Sequence, residues 1–394
     1  MNERKKRVLI IGATGFVGRR FCQLILDKQF RENISLTFTA RNKKKFYELF
    51  PSIESDVNNI QFEQLDTFDK KQVNKLIERN DVVCNFVGPY AKYAHNIVES
   101  CAKNGVHYLD ITGEINFIQE MIKKHEQVAI DNGASIIPFC GFDSVPSDLG
   151  VYLIKKKINK KYKEKIKFAH IIYQLKGGIN GGTIASAFES LSTISQEDML
   201  NLHYLTPMDH AFYPPLESKV RKDMDGVHVA PFFMEPINNK VIYRTKNLCN
   251  HEGYAKNFLY LESMKTTASF SFLSSQIVQK SLGFFDLLKK TSTTSRLMRA
   301  FLPKPGEGPK ESQIKNGFFK AQVIGISESG RTQELYILGQ GDPGNISTAN
   351  LILLSLECLL KSKNPPVGFH TPVSCFGDSI EKNLTKYDLQ IKDY

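Results

Sequence analysis

The stretch Val8-Leu9-Ile10-Ile11-Gly12-Ala13-Thr14-Gly15-Phe16-Val17-Gly18 decides how this chain is read. Four consecutive aliphatic residues make a strand that is apolar on both faces, as suits the middle of a parallel sheet covered by helices on each side. The glycines that follow have the spacing G-x-x-G-x-x-G, and from Phe16 the apolar residues recur at helical intervals. A strand that turns through glycines into a helix is a phosphate cradle. The first glycine permits the tight turn, the second lets the backbone approach a diphosphate, and the third lets the helix lie close to the strand. The unpaired N–H groups and the positive end of the helix dipole complete it. Gly12, Ala13, Thr14, Gly15, Phe16, Val17 and Gly18 are therefore expected to hold a dinucleotide.

Outward from that loop, strand-like runs at 8–11, 35–40, 60–64, 82–86, 107–110 and 135–138 alternate with helical spacing at 16–27, 70–78, 94–103 and 115–132. The rhythm predicts an α/β fold opening with a Rossmann domain, a doubly wound parallel sheet over residues 1–145. Beyond Pro146 the pattern changes. A helix is expected from Ser147, then an extended run at 166–174, and a hairpin at Gly330 between runs 321–327 and 332–338. These predict an α+β domain with a mixed or antiparallel sheet over 146–345, with loops at 303–309 and 339–345. Helices at 347–360 and 379–384 in a C-terminal segment, 346–394, would pack back towards the first domain. The apolar stripe at 270–288 carries Gln276, Gln279, Lys280 and Asp286, so it reads as core packing before a lipid-facing helix and not as a membrane span.

The end of the second strand selects the cofactor. Dinucleotide sites for NAD usually place an acid there, whereas this strand ends Thr39-Ala40-Arg41-Asn42 and runs into Lys43, Lys44 and Lys45. The Arg41 guanidinium suits a ribose 2′-phosphate, and no carboxylate repels it, so NADP(H) is expected, with Asn42 beside it. Asp66, after the third strand, is either an adenine-edge contact or a helix cap. Gly88, Pro89 and Tyr90 follow the fourth strand on the carboxyl edge of the sheet, which puts Tyr90 near the nicotinamide. Asp110 and Glu114 end the next strand as proton carriers or, for Glu114, as a cap. Asp143 and Ser144, in the turn-rich run 139–148, face the same crevice, and Ser147 or Asp148 would cap or charge the helix after it. Tyr90 and Asp143 are the candidate catalytic groups.

Several classes are excluded. The seven cysteines are odd in number and include no C-x-x-C pair, which fits reduced thiols in a reducing compartment. The charged residues 1–7 lead directly into a strand rather than a secretory leader, so the expectation is a chain that is not secreted, on the cytoplasmic side, soluble or peripheral to a membrane. No H-E-x-x-H or His/Cys ligand set supports a metal, and no G-x-S-x-G elbow supports a serine hydrolase. Tyr152 and Lys156 have the Y-x-x-x-K spacing of short-chain dehydrogenases but come after the sheet strands, which marks an accident. The net charge of +11 is concentrated between Lys155 and Lys167; without aromatic interleaving this reads as a solvated helix end, ahead of a membrane contact, and no nucleic acid is expected.

Longer strings carry a resemblance. GATGFVGR at 12–19, TARN at 39–42, NFVGPYAKYA at 85–94, HYLDITGE at 107–114, PFCGFDSVPSDLG at 138–150, GGT at 181–183, PFFMEPIN at 231–238, GEGP at 306–309 and GDPGN at 341–345 together resemble the saccharopine dehydrogenase-like oxidoreductases, including the trans-acting enoyl reductases of bacterial lipid synthesis. The resemblance implies a Rossmann domain followed by an α+β domain, NADP-dependent reduction, hydrophobic acyl or glycolipid substrates for some members and attachment to lipid droplets or membranes for others; a homodimer is a further expectation. The chain departs from such sequences at Ala94, where glycine is usual, and at Asn345, where an aromatic is common. Arginines beyond Arg41 are scarce at the predicted crevice, which argues against an amino-acid dicarboxylate substrate. The expected activity is NADPH-dependent reduction of a double bond or carbonyl on a hydrophobic molecule; the alternative is an inactive NADP-binding scaffold on lipid droplets or membranes.

Overall fold

A computed structural model describes residues 4–27, 34–55, 59–177, 197–198, 201–206, 221–222, 228–265 and 308–393. The expected apolar stripe at 270–288 and the GGT string at 181–183 lie outside the described residues, as does most of the expected loop at 303–309.

The first half forms as the alternation predicts. Strands β1 (Lys6–Ile11), β2 (Ile34–Ala40), β3 (Ile60–Gln64), β4 (Val82–Asn85), β5 (His107–Asp110) and β6 (Ser135–Ile137) pair in parallel in the order β6-β5-β4-β1-β2-β3. Helices α1 (Phe16–Asp27), α2 (Lys43–Leu49), α3 (Lys70–Ile77), α4 (Tyr90–Tyr93), α5 (His95–Asn104) and α6 (Ile115–Asn132) belong to the same half. Val8, Leu9 and Ile10 of β1 have no exposed surface; Val8 and Ile10 join one apolar cluster and Leu9 the other, so both faces of the strand are covered. Each such side chain contributes about 1.5–3 kcal/mol by leaving water. Asn42 caps α2 through Lys45 N–H, and Asp69 caps α3 through Lys71 and Gln72 N–H. The helix expected at 94–103 forms as α5, and Ala94 serves as the C-cap of the short α4 before it and the N-cap of α5.

Helix α7 (Val145–Tyr162) leads into the second sheet, built from β7 (Ile166–Lys176), β8 (Arg221–Lys222), β9 (His228–Pro231), β10 (Tyr254–Lys265), β11 (Phe318–Ser327), β12 (Thr332–Gln340) and β14 (Leu389–Asp393), in the order β14-β12-β11-β7-β10-β9-β8. The sheet is mixed: β7 and β10 run parallel and the other pairs antiparallel. Between β9 and β10 lies α8 (Glu235–Leu248), and before β11 lies α9 (Glu311–Lys315). The hairpin at Gly330 forms as expected, with the glycine at φ +88°. The loop expected at 339–345 starts later than its composition suggests, because β12 continues to Gln340. A Cβ at Gly339 would stand 2.1 Å from the Phe319 ring, so the glycine serves packing across the hairpin rather than a turn.

The C-terminal segment serves both sheets. Helix α10 (Thr348–Lys361) packs on α1, and β13 (Gly368–Phe369) adds a seventh parallel strand beside β6. Helix α11 (Pro372–Asn383) packs against α7 and α10, and β14 closes the edge of the second sheet. One apolar cluster runs from Val8 and Phe38 through Val151 and Leu353 to Val323 and Leu389, so the two sheets share a core. Among the described residues, no helix is long and apolar enough to cross a membrane.

Candidate functional site

The glycine loop has the tight geometry its spacing predicts. Gly12 sits at φ +88°, a conformation L side chains avoid, and a Cβ there would come within 2.8 Å of Val87 Cγ2. A Cβ at Gly18 would lie 2.3 Å from the Gly12 carbonyl oxygen, so only glycine lets α1 approach β1 this closely. The Gly12 and Ala13 N–H groups donate to the Thr39 carbonyl, and Gly15 N–H donates to the Gly12 carbonyl, which sets the loop against β2. The first N–H groups of α1 have no acceptor within the helix and face the place a diphosphate would fill.

Arg41, at the carboxyl end of β2, is exposed, and its carbonyl accepts from Gln64 Nε2 at 2.9 Å. Its guanidinium makes no ion pair among the described residues. Asn42 spends its side-chain oxygen on the α2 cap. Asp66 is not the helix cap, a role Asp69 fills; its carboxylate accepts from Phe68 N–H in a turn that leaves it exposed beside Phe68. Phe68 is 59% exposed, its ring 5.3 Å from that of Tyr93. The sequence reading missed it, since a lone aromatic in a polar turn has no periodic signal. These residues fit a phosphorylated adenosine: a cation for the 2′-phosphate and, beyond it, an aromatic surface.

Along the carboxyl edges of β4, β5 and β6, buried polar groups hold the turns in place. Asn85 Nδ2 donates to Tyr108 Oη at 3.0 Å, while Asn85 Oδ1 accepts from Val87 N–H. The Tyr108 hydroxyl donates to Asp110 at 2.8 Å, and Asp110 also accepts from Thr112 and Phe139 N–H. Burial pushes Asp110 up to about 7, against the pull of those donors. The Glu114 carboxylate accepts from Tyr90 and Ala91 N–H at 2.9 and 2.8 Å. It thus caps α4 rather than α6, whose N-cap position Glu114 occupies. Gly88 and Pro89, joined by a cis peptide, bring the chain to that cap. Tyr90 lies where the sequence reading puts its backbone, but its side chain is buried and its hydroxyl donates inward to the Asn85 carbonyl.

Asp143 stands at the entrance to α7; the residue keeps some exposed surface, but its carboxyl is buried, and that burial pushes it up to about 6. Ser144, buried, occupies the N-cap position of α7 without a side-chain hydrogen bond. The two residues expected at that helix start have other roles. Ser147 turns into the second domain, where its hydroxyl donates to Glu262 and pairs with Tyr173 Oη at 2.7 Å. Asp148 accepts from Thr245 at 2.6 Å. Tyr260 and Asn238 also donate to Glu262, and burial pushes this carboxyl up to about 7. The rings of Phe142, Tyr173 and Phe232 pack beside this cluster, with Phe142 and Tyr173 centroids 5.9 Å apart and Tyr173 stacked on Phe232 at 4.6 Å. Sequence reasoning had no signal for the cluster, because its members come from four separate elements.

The Lys-rich run departs from a solvated face at one position. Lys155 is 9% exposed, its ammonium over the rings of Tyr152 and Tyr254. The Y-x-x-x-K pair has a structural role: Tyr152 and Lys156 both donate to Asp378 of α11 at 2.7 Å, away from the glycine loop. No group of His, Cys, Asp and Glu suited to a metal occurs among the described residues.

Glycine loop and exposed arginine define a Rossmann-type NADP(H)-binding domain. Residues 8–137 match the family model described as the saccharopine dehydrogenase NADP binding domain. It is 25% identical to a trans-acting enoyl reductase of Mycobacterium ulcerans, over 97% of this chain and 96% of that one. A trans-acting enoyl reductase of Mycobacterium bovis is 24% identical with the same coverage. Among solved structures, the apo histidine-tagged saccharopine dehydrogenase (L-Glu forming) of Saccharomyces cerevisiae shares the fold, with TM-score 0.57 and 14% identity, over 99% of this chain and 100% of that one.

Proposed function

We propose that the chain uses NADPH to reduce a polarised carbon–carbon double bond, or a carbonyl, on a hydrophobic acyl or lipid-type substrate. The observation that carries this reading is the glycine loop at the carboxyl edge of the first sheet, its Gly12 and Gly18 leaving no room for a side chain. From the same sheet the chain runs through Asp143 into α7 and a second domain whose Phe142, Tyr173 and Phe232 rings pack together. Full-length similarity to named enoyl reductases supports the same class.

NADPH, when bound, supplies the hydride. The protein's part is to orient and to protonate. The α1 N–H groups and Arg41 fix the coenzyme, and the Asn85–Tyr108–Asp110 chain, with Glu114 capping α4, holds the turns around the crevice rigid. Asp143 is the proton donor in this reading: it precedes α7 at the junction of the two domains, and burial raises its pKa enough to leave a protonated fraction near neutral pH. The test is NADPH oxidation, followed by absorbance, across a panel of enoyl and keto acyl thioesters and lipids. Turnover on an unsaturated acyl compound supports the proposal; tight coenzyme binding with no turnover across the panel replaces it with the scaffold reading.

A further inference from the structure

Gly308 belongs to the GEGP string of the second domain, 290 positions beyond the last glycine of the loop, yet its backbone lies on the ring of Phe16. A Cβ built there would stand 2.4 Å from Phe16 Cζ and 2.6 Å from Cε2, where ordinary contact begins near 3.4 Å. Any side chain would force a shift of about 1 Å on the ring or the strap. The ring has little room to yield: Phe16 is 8% exposed, and the Arg19 guanidinium lies 4.6 Å from its centroid. Further along the strap, Glu311 of α9 pairs with Arg20 of α1 at 2.5 Å. A segment from the second domain is thus fastened to the first two turns of α1, by a packing contact at Phe16 and an ion pair at Arg20. The first of those turns carries the N–H groups that would receive the diphosphate of a bound coenzyme.

We propose that Gly308 is a positioning residue for NADPH: by resting on Phe16 it holds the start of α1 where those N–H groups meet the coenzyme, and so ties coenzyme affinity to the seating of the second domain. The inference rests on the NADP-binding reading of the loop. No contact between Gly308 and the coenzyme is required.

The experiment is a fluorescence titration of the full-length protein with NADPH, comparing wild type, Gly308→Ala, Phe16→Ala and the double variant. The expected rise in Kd for Gly308→Ala is about tenfold or more, from the overpacked ring. In the Phe16→Ala background the same change costs less than about twofold, because the clash has gone; such non-additivity is not produced by general destabilisation. Arg20→Met, which loosens the strap without a clash, is expected to raise Kd about threefold and carries the test if Gly308→Ala fails to fold. A Gly308→Ala affinity within twofold of wild type, or an equal loss in both backgrounds, overturns the proposal. If wild type itself does not bind NADPH, the coenzyme reading fails instead, and the first titration separates the two.

Discussion

Asp110 and Glu262 are both wholly buried acids, each on a strand of a seven-stranded sheet and each pushed up to about 7 by burial, but they are built in different ways. Asp110 draws its donors mostly from its own neighbourhood: Tyr108 and Thr112 stand two residues to either side, and Phe139 comes from the loop that follows the neighbouring strand β6. Glu262 collects Ser147 from α7, Asn238 from α8 and Tyr260 from its own strand. The first arrangement stiffens a turn on the cofactor side of the crevice. The second joins helix and sheet inside the other domain, so its partners meet only when that domain is complete.

The strongest way to break the comparison is at the loop that precedes it. Gly18→Ala sets a methyl against the Gly12 carbonyl at 2.3 Å, and backbone cannot swing away as a side chain can. NADPH and NADH binding are both expected to fall by about 100-fold or more in calorimetry, as overpacking of the order of 3 kcal/mol implies. An unchanged affinity would mean that the close approach of α1 to β1 does not shape the site.

Next comes Asp143, which lies between the two regions. As proton donor it acts in its protonated form, so kcat/KM for reduction should decline about tenfold per pH unit above roughly 6. Asp143→Asn is expected to lower the rate by about 100-fold and leave a residue of activity that no longer follows that titration. A wild-type profile that stays level from pH 5 to 8 would remove the residue from the mechanism.

The smallest effect is on stability. Asp110, Asp148 and Glu262, each pushed up to about 7, hold their protons to higher pH in the folded chain than in the unfolded one. Stability is therefore greatest at or below about pH 4 as far as these groups decide it, and declines as pH rises through about 7. Each group accounts for at most about 3 to 4 kcal/mol. Glu262→Gln should flatten the fall in melting temperature between pH 5 and 8 by roughly a third, because one of three comparable carboxyls no longer titrates. An unaltered slope would mean that Glu262 ionises as freely folded as unfolded.

The same contrast explains what could be read beforehand. The first sheet was legible because its signals are local: aliphatic runs such as 8–11, a glycine loop at a fixed spacing, and turn residues at each carboxyl end. Its seventh strand was not, since Gly368–Phe369 is two residues long and takes its place only by pairing with Ser135 and Ile136. Within the site, Arg41 and the glycines announced themselves through residue type and position. Phe68 did not, and the Tyr90 hydroxyl turns inward because its partner is the Asn85 carbonyl, which no spacing reveals. Ser147 and Asp148 read as helix-start residues from their order along the chain; Glu262 and Thr245, brought up from distant segments, decide where they point.

The central claim is that a helix start and one guanidinium select a phosphorylated dinucleotide. Calorimetric titration of wild type and Arg41→Ala with NADPH and NADH tests it most directly. Wild type should prefer NADPH, and the variant should lose about 10- to 100-fold in NADPH affinity, the worth of a charge-assisted phosphate contact, while NADH binding changes less than about twofold. Equal loss for both coenzymes, or none for either, would contradict the account.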